Sequence, residues 1–263
     1  MKKDTGLYLS TKKDGSVYYR VSLTYRNKHI SLGSFTEKDR ASGAYREARA
    51  ILSDPSLTHT GYMPEYLGFD KFITLVNFRD NGIYIKTPIY IMPHFFLYYY
   101  SSETIFTFDI DDLFYYANHK IMKRGRHLFV ADYGMQVNIL NRYGIRNYAV
   151  ENRDYYFANH NSFDFRYSNV ICINPYYGVT QQKMPSGQYL YKVKIHINGN
   201  YHVGTYNDLN QAAIAYNKAV DIVKKQGYDK NYDFNYIEGL SPARYAQMYS
   251  ECSISDKLYH LIL

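Results

Sequence analysis

Tyr189-Leu190-Tyr191-Lys192-Val193-Lys194-Ile195-His196-Ile197 alternates apolar and polar residues along its length. A period of two is the signature of a half-buried strand. Tyr191, Val193, Ile195 and Ile197 fall on one side, and Lys192, Lys194 and His196 on the other. Ser186-Gly187 before the run and Asn198-Gly199-Asn200 after it are turn formers that place antiparallel neighbours on both edges. Beyond them, Leu209, Ala212, Ala213, Tyr216, Ala219, Val220 and Val223 recur at helical spacing, with Asn207 or Asp208 as cap and Gly227 as stop. The unit predicted is a three-stranded antiparallel sheet followed by one helix that covers its apolar face.

The same unit occurs twice. His29-Ile30-Ser31-Leu32-Gly33-Ser34-Phe35 parallels Asn200-Tyr201-His202-Val203-Gly204-Thr205-Tyr206, and Gly33, Ala41, Ala44, Tyr45 and Ala48 recur 171 residues later as Gly204, Ala212, Ala215, Tyr216 and Ala219. Five ungapped identities are poorly explained by chance, and a repeated unit alters every later inference. In the first copy the alternating strand is Val17 to Leu23, flanked by Asp14-Gly15 and Arg26-Asn27-Lys28.

Charge follows the repeat. The chain has 263 residues and a formal charge of +7. Residues 1 to 50 hold eleven Lys and Arg against five Asp and Glu, and residues 177 to 226 hold six against two, so what remains is slightly acidic. Two basic modules on either side of an acidic middle suit a polyanionic partner. Two cysteines, Cys172 and Cys252, make no disulfide framework and suit a reducing compartment. No signal peptide follows Met1, and the longest apolar stretch, Ile89 to Tyr100, is broken by Pro93 and His94 and is too short for a bilayer. An intracellular protein without a membrane partner is expected. Neither a phosphate-binding glycine loop nor a Gly-x-Ser-x-Gly elbow occurs, and no cofactor is implied.

The expected fold class is α+β: two sheet-plus-helix modules flanking a distinct middle. Residues 1–53 form the first module, 54–67 a linker through Pro55 and Pro64, 68–176 the middle, 177–234 the second module and 235–263 a helical tail opened by Ser241-Pro242. The middle reads as short strands, Phe72 to Val76, Ile83 to Ile91 and Thr104 to Phe108, with no long amphipathic helix. The apolar end, Leu258 to Leu263, either packs on the body or forms a homodimer contact, packing being the commoner outcome.

Tyr177-Gly178-Val179, the strand from Gly187 to Ile195, Val203-Gly204-Thr205-Tyr206 and Gln211-Ala212-Ala213-Ile214-Ala215-Tyr216-Asn217-Lys218-Ala219 resemble the APETALA-type (ethylene-response-factor) DNA-binding domain over about 50 residues. Gly6 to Ala48 fit the same pattern more loosely. The resemblance implies a sheet laid in the major groove of double-stranded DNA, contacting it through alternate strand residues. On matching positions these are Thr180, Gln182, Lys192, Lys194 and His202 in the second copy, and Tyr8, Ser10, Arg20, Ser22 and Ser31 in the first. The family's arginines and tryptophan are mostly replaced; lysine attracts phosphate without bidentate guanine recognition.

Leu140-Asn141-Arg142 and Asp164-Phe165-Arg166-Tyr167-Ser168-Asn169-Val170 resemble the first and last segments of the HNH homing-endonuclease pattern, which accompanies APETALA-type modules in phages and large DNA viruses. Counted back from Asn169 by the family spacing, Tyr156-Phe157 stand where the Asp-His pair belongs, and neither side chain ligates a metal or takes a proton. The resemblance thus implies a degenerate ββα-metal-like middle without catalytic residues or metal. His160, in Asn159-His160-Asn161, is the alternative general base, although it lies only nine residues before Asn169. A zinc site from His119, His127, Asp132 and His160 meets no ligand-spacing motif. The expected function is double-stranded DNA binding without cleavage by a viral protein of homing-endonuclease descent. Two alternatives stay open: an anti-defence inhibitor that binds a host nuclease or other host protein, and an active HNH-type endonuclease with a non-standard site.

Overall fold

The computed structural model describes residues 6–228 and 230–261. The protein is mixed α+β, and the chain packs as two units. One unit comprises the residues up to Val137 together with Asn161–Tyr167, and the other Asn138–His160 together with Ser168 onward. The 68–176 stretch therefore contributes to both. Among the described residues no helix is long and apolar enough to cross a membrane.

The first unit opens with β1 (Leu7–Thr11), β2 (Val17–Tyr25) and β3 (Lys28–Phe35), an antiparallel sheet in sequence order, and α1 (Lys38–Ser53). Val21, Leu23, Ile30 and Leu32 meet Ala41, Ala44, Ala48 and Ile51 in one core. The alanines bring the helix axis close to the sheet, so little apolar volume lies between them.

Next comes α2 (Phe69–Asn81), where separate short strands were expected from Phe72 to Val76. Every residue from Phe72 to Arg79 is buried. A helix enclosed on all sides shows no polar stripe, and its apolar run reads like a buried strand. Gly82, left-handed at φ 74°, ends it. Only Ile89–Ile91 of the expected Ile83–Ile91 run is strand, as β4; it pairs with β5 (Phe95–Tyr99), and β5 with β6 (Ile105–Asp109). A 3-10 turn leads into the short α3 (Leu113–Asn118), and β7 (Ile121–Arg124), β8 (His127–Asp132) and β9 (Met135–Asn138) complete a third small sheet.

In the second unit β10 (Tyr155–Phe157) pairs antiparallel with β11 (Val170–Cys172). Between Cys172 and Val179, all described, the chain forms no helix. The second repeat follows as β12 (Val179–Lys183), β13 (Tyr189–His196), β14 (Asn200–Tyr206) and α4 (Leu209–Lys225), with Asp208 capping the helix by accepting from the Gln211 N–H at 2.7 Å. After it, α5 (Pro242–Glu251) is capped by Ser241. The tail packs on its own unit: Leu258 is fully buried with Ile254 and Cys252 against α4. Ile262 and Leu263 lie outside the described residues.

The two repeats share their irregularities as well as their elements. Val21 pairs with Gly33 but Ser22 with Ser31; Val193 pairs with Gly204 but Lys194 with His202. One residue, Leu32 or Val203, is thus extra in each third strand. At the start of each module the Gly6 or Gly178 carbonyl accepts from the Ser22 or Lys194 N–H, at 2.9 and 2.8 Å. Both glycines have positive φ, and a Cβ on either would collide with the ring of Tyr45 or Tyr216. Glycine is required there by backbone shape and by space together.

A second correspondence lies on the back of the helices. Glu47 of α1 is buried, and its carboxylate accepts from the N–H groups of Glu65 (2.7 Å), Tyr66 (3.0 Å) and Leu67 (2.8 Å) and from the Tyr62 hydroxyl (2.8 Å). The residue 171 positions on is Lys218, whose Nζ donates to the carbonyls of Tyr249 (2.9 Å) and Cys252 (2.6 Å). The anion holds the amides of the segment that leads into α2, and the cation holds the carbonyls that end α5, where it also matches the polarity of the helix C-terminus.

Burial would raise the Glu47 pKa, but the amide and Tyr62 hydrogen bonds outweigh it and hold the carboxyl below the usual glutamate range. Its stabilisation is therefore complete above that range and is lost as pH falls through the lower folded value. Glu47→Gln should lower stability at pH 7 by about 2 kcal/mol. Urea unfolding at several pH values should show the difference from the parent shrinking below about pH 4.

Candidate nucleic-acid interface

On β13, Val193 and Ile195 face the core while Lys192, Lys194 and His196 are exposed on the opposite face. Register adds their neighbours. Thr180, Lys192 and Thr205 form one row across the three strands, Lys194 faces His202, and His196 faces Asn200. The bulge makes this set continuous. Asn200 and His202 point outward by ordinary alternation, Val203 takes the extra inward position, and Thr205 returns to the outer face. The five positions expected in this copy, Thr180, Gln182, Lys192, Lys194 and His202, are all exposed. Thr205 was not anticipated, since without the bulge its phase points inward.

The first sheet has the same layout and different chemistry. Tyr8, Arg20 and Ser34 form one row, Ser22 faces Ser31, and Thr24 faces His29. Tyr8 and Arg20 are exposed, but Ser22, at the position of Lys194, is only 8% exposed. It lies in a hollow of about 390 Å³ lined by Tyr8, Ser10, Arg20, Ser22, His29 and Ser31. One copy presents two lysines on its outer face; the other presents a hydroxyl-lined hollow with a single guanidinium.

A buried ionic cluster positions the second sheet. Asp154 is fully buried and meets Arg146 at 3.0 Å and Arg153 at 2.6 Å, and it accepts from the Val150 N–H at 2.8 Å. Its backbone carbonyl accepts from the N–H groups of Ile173 and Asn174, and the Asn174 amide oxygen accepts from Gln181 N–H on β12. Burial pushes the Asp154 pKa up, but the arginines and the amide outweigh it and hold the carboxyl below the usual range.

The nuclease-like positions are placed as follows. Tyr156 is exposed and Phe157 buried, on β10. Asn169 is buried, and its side-chain oxygen accepts from the Asn159 N–H at 2.8 Å, closing the loop between β10 and β11. His160 is exposed on that loop at φ 61°. His119 lies 3.4 Å from Asp132 and stacks on Tyr115, while His127 sits exposed at a hairpin turn. Among the described residues no three His, Cys, Asp or Glu side chains converge as a metal site.

No family model matches the chain, and no curated protein or solved structure matches it. The internal repeat is therefore the comparison that the sheet faces permit.

Removing the carboxylate charge leaves Arg146 buried beside a neutral group. Asp154→Asn should destabilise the protein by about 3 kcal/mol. Equilibrium urea unfolding followed by tyrosine fluorescence measures it, and a change under about 0.5 kcal/mol would show the cluster to be dispensable.

Proposed function

We propose that the chain binds double-stranded DNA through the outward faces of its two repeated sheets, and that it is a viral protein of HNH homing-endonuclease descent that no longer cleaves. The observation that carries this reading is the outward row on the second sheet, where Lys192 and Lys194, with no carboxylate partner among the described residues, stand two residues apart beside Thr180, Thr205 and His202. A β-ribbon fits the major groove, lysines on alternate residues meet successive phosphates, and threonine and imidazole groups reach phosphate or base edges. On the first sheet Arg20 supplies a bidentate donor beside Tyr8 and the hydroxyls of Ser10, Ser22 and Ser31. The loss of cleavage rests on Tyr156 and Phe157 in the degenerate middle, which provide neither metal ligand nor base.

Phosphate contacts release counterions, so the logarithm of affinity should fall with the logarithm of salt by about 0.9 per phosphate neutralised. In a gel shift on random duplex DNA, Lys192→Ala with Lys194→Ala should weaken binding about ten-fold at 0.1 M salt and flatten the slope by about 2. Unchanged binding would reject the second sheet as the interface.

Plasmid incubated with magnesium, manganese or zinc should remain supercoiled. Metal-dependent nicking that disappears in His160→Ala would instead place a working general base on the β10–β11 loop.

A further inference from the structure

The hairpin β7–β8, which belongs to neither repeat, carries a second concentration of cationic groups. Lys123, Arg124, Arg126 and His127 are all exposed around a two-residue turn in which Gly125 has φ 59°. Among the described residues no carboxylate pairs with any of the four. Isolated cations on a loop are ordinarily only solvated. Here the register gives some of them company: Arg124 faces His127 and Met122 faces Phe129 on one face of the hairpin, while Lys123 lies in the opposite phase, with buried Ile121 and Val130, and both Lys123 and Arg124 line the same groove.

That hairpin borders a groove of about 510 Å³ whose walls include Tyr100 and Phe129 alongside Lys120, Lys123 and Arg124. Tyr100 lines the groove at 37% exposure with its ring 6.0 Å from that of Phe106, whereas Tyr98 and Tyr99 are buried. The one acid on the wall, Asp70, is already matched by Lys120 at 2.8 Å. The groove is thus net cationic, aromatic-walled and large enough for a nucleotide.

We propose that this groove binds a short stretch of single-stranded nucleic acid, with phosphates on Lys123 and Arg124 and a base against Phe129 or Tyr100. An acidic peptide would use the cations and leave the rings idle; an unpaired strand uses both, because every base has a stacking face. Duplex DNA keeps its bases stacked inside and offers this groove phosphates alone. The inference rests on other residues than the sheet faces and does not depend on them.

The test uses the full chain and fluorescein-labelled twelve-residue oligothymidylate, read by anisotropy at low salt, with unlabelled duplex and polyglutamate as competitors. Lys123→Ala with Arg124→Ala, both exposed, should weaken binding about ten-fold and reduce the salt slope by about 0.7 per lost phosphate contact. Phe129→Leu, which keeps apolar bulk and removes the stacking face, should weaken it several-fold, and Lys257→Ala, an exposed cation outside both proposed surfaces, should leave it in place. No binding of oligothymidylate, or no change in the Lys123/Arg124 variant, overturns the assignment. So does displacement by polyglutamate as effective as by oligothymidylate itself, with Phe129→Leu unchanged, which would mark a general anion patch. A duplex gel shift run in parallel separates the two readings: its absence rejects the sheet-face function and leaves the groove to be decided by oligothymidylate.

Discussion

A sheet of three short strands has one face to bury, and a single helix lined with alanine covers it without supplying much apolar volume. Modules of this size bury too small a fraction of their surface to be comfortably stable alone. Both copies meet that constraint in the same way, by packing further structure against the back of the helix. In the first unit α2 adds Phe72, Ile73, Leu75 and Val76 to the core of α1; in the second the tail adds Cys252, Ile254 and Leu258 to the core of α4. The charged residue at one repeat position fastens each addition, Glu47 to three amides and Lys218 to two carbonyls. The sheets are then left with their outer faces bare, and those faces are where the copies diverge.

The divergence has chemical content because the backbone is held constant. Register, bulge and the glycine under the tyrosine ring are the same in both copies. Against that fixed frame Ser22 becomes Lys194, Arg20 becomes Lys192 and Ser31 becomes His202. Short hydroxyl side chains line a hollow in the first copy, and exposed amines stand on the outer face of the second. Two copies of one scaffold can thus meet a polyanion differently, one by geometry around a guanidinium and one by charge along a strand.

Much of this was legible in the sequence, and the failures have identifiable causes. Alternation from Tyr189 to Ile197 gave the outward lysines because one face is buried and the other wet, which is the condition that makes period two visible. The alanine stripe gave α1 and α4. The helix α2 was hidden because Phe72 to Arg79 is enclosed on all sides, and enclosure erases the polar stripe that distinguishes helix from strand. Thr205 was missed because a bulge can be seen only when the partner strand is known. Glu47 and Lys218 look like solvated helix residues until the chain returns to cover them; the one available signal was that they occupy the same repeat position, next to Ala48 and Ala219.

The central claim is that the appended segment, α2 in the first unit and the tail through Leu258 in the second, is part of each module's core and not a passenger. Hydrogen exchange on the full chain carrying Lys218→Met reads this directly, since methionine keeps the apolar stem of the side chain and removes the donor that grips α5. Faster exchange in residues 241–258 accompanied by faster exchange in β13 and α4 is the predicted result. Loss of protection confined to residues 241–258, with β13 and α4 unchanged, would contradict it.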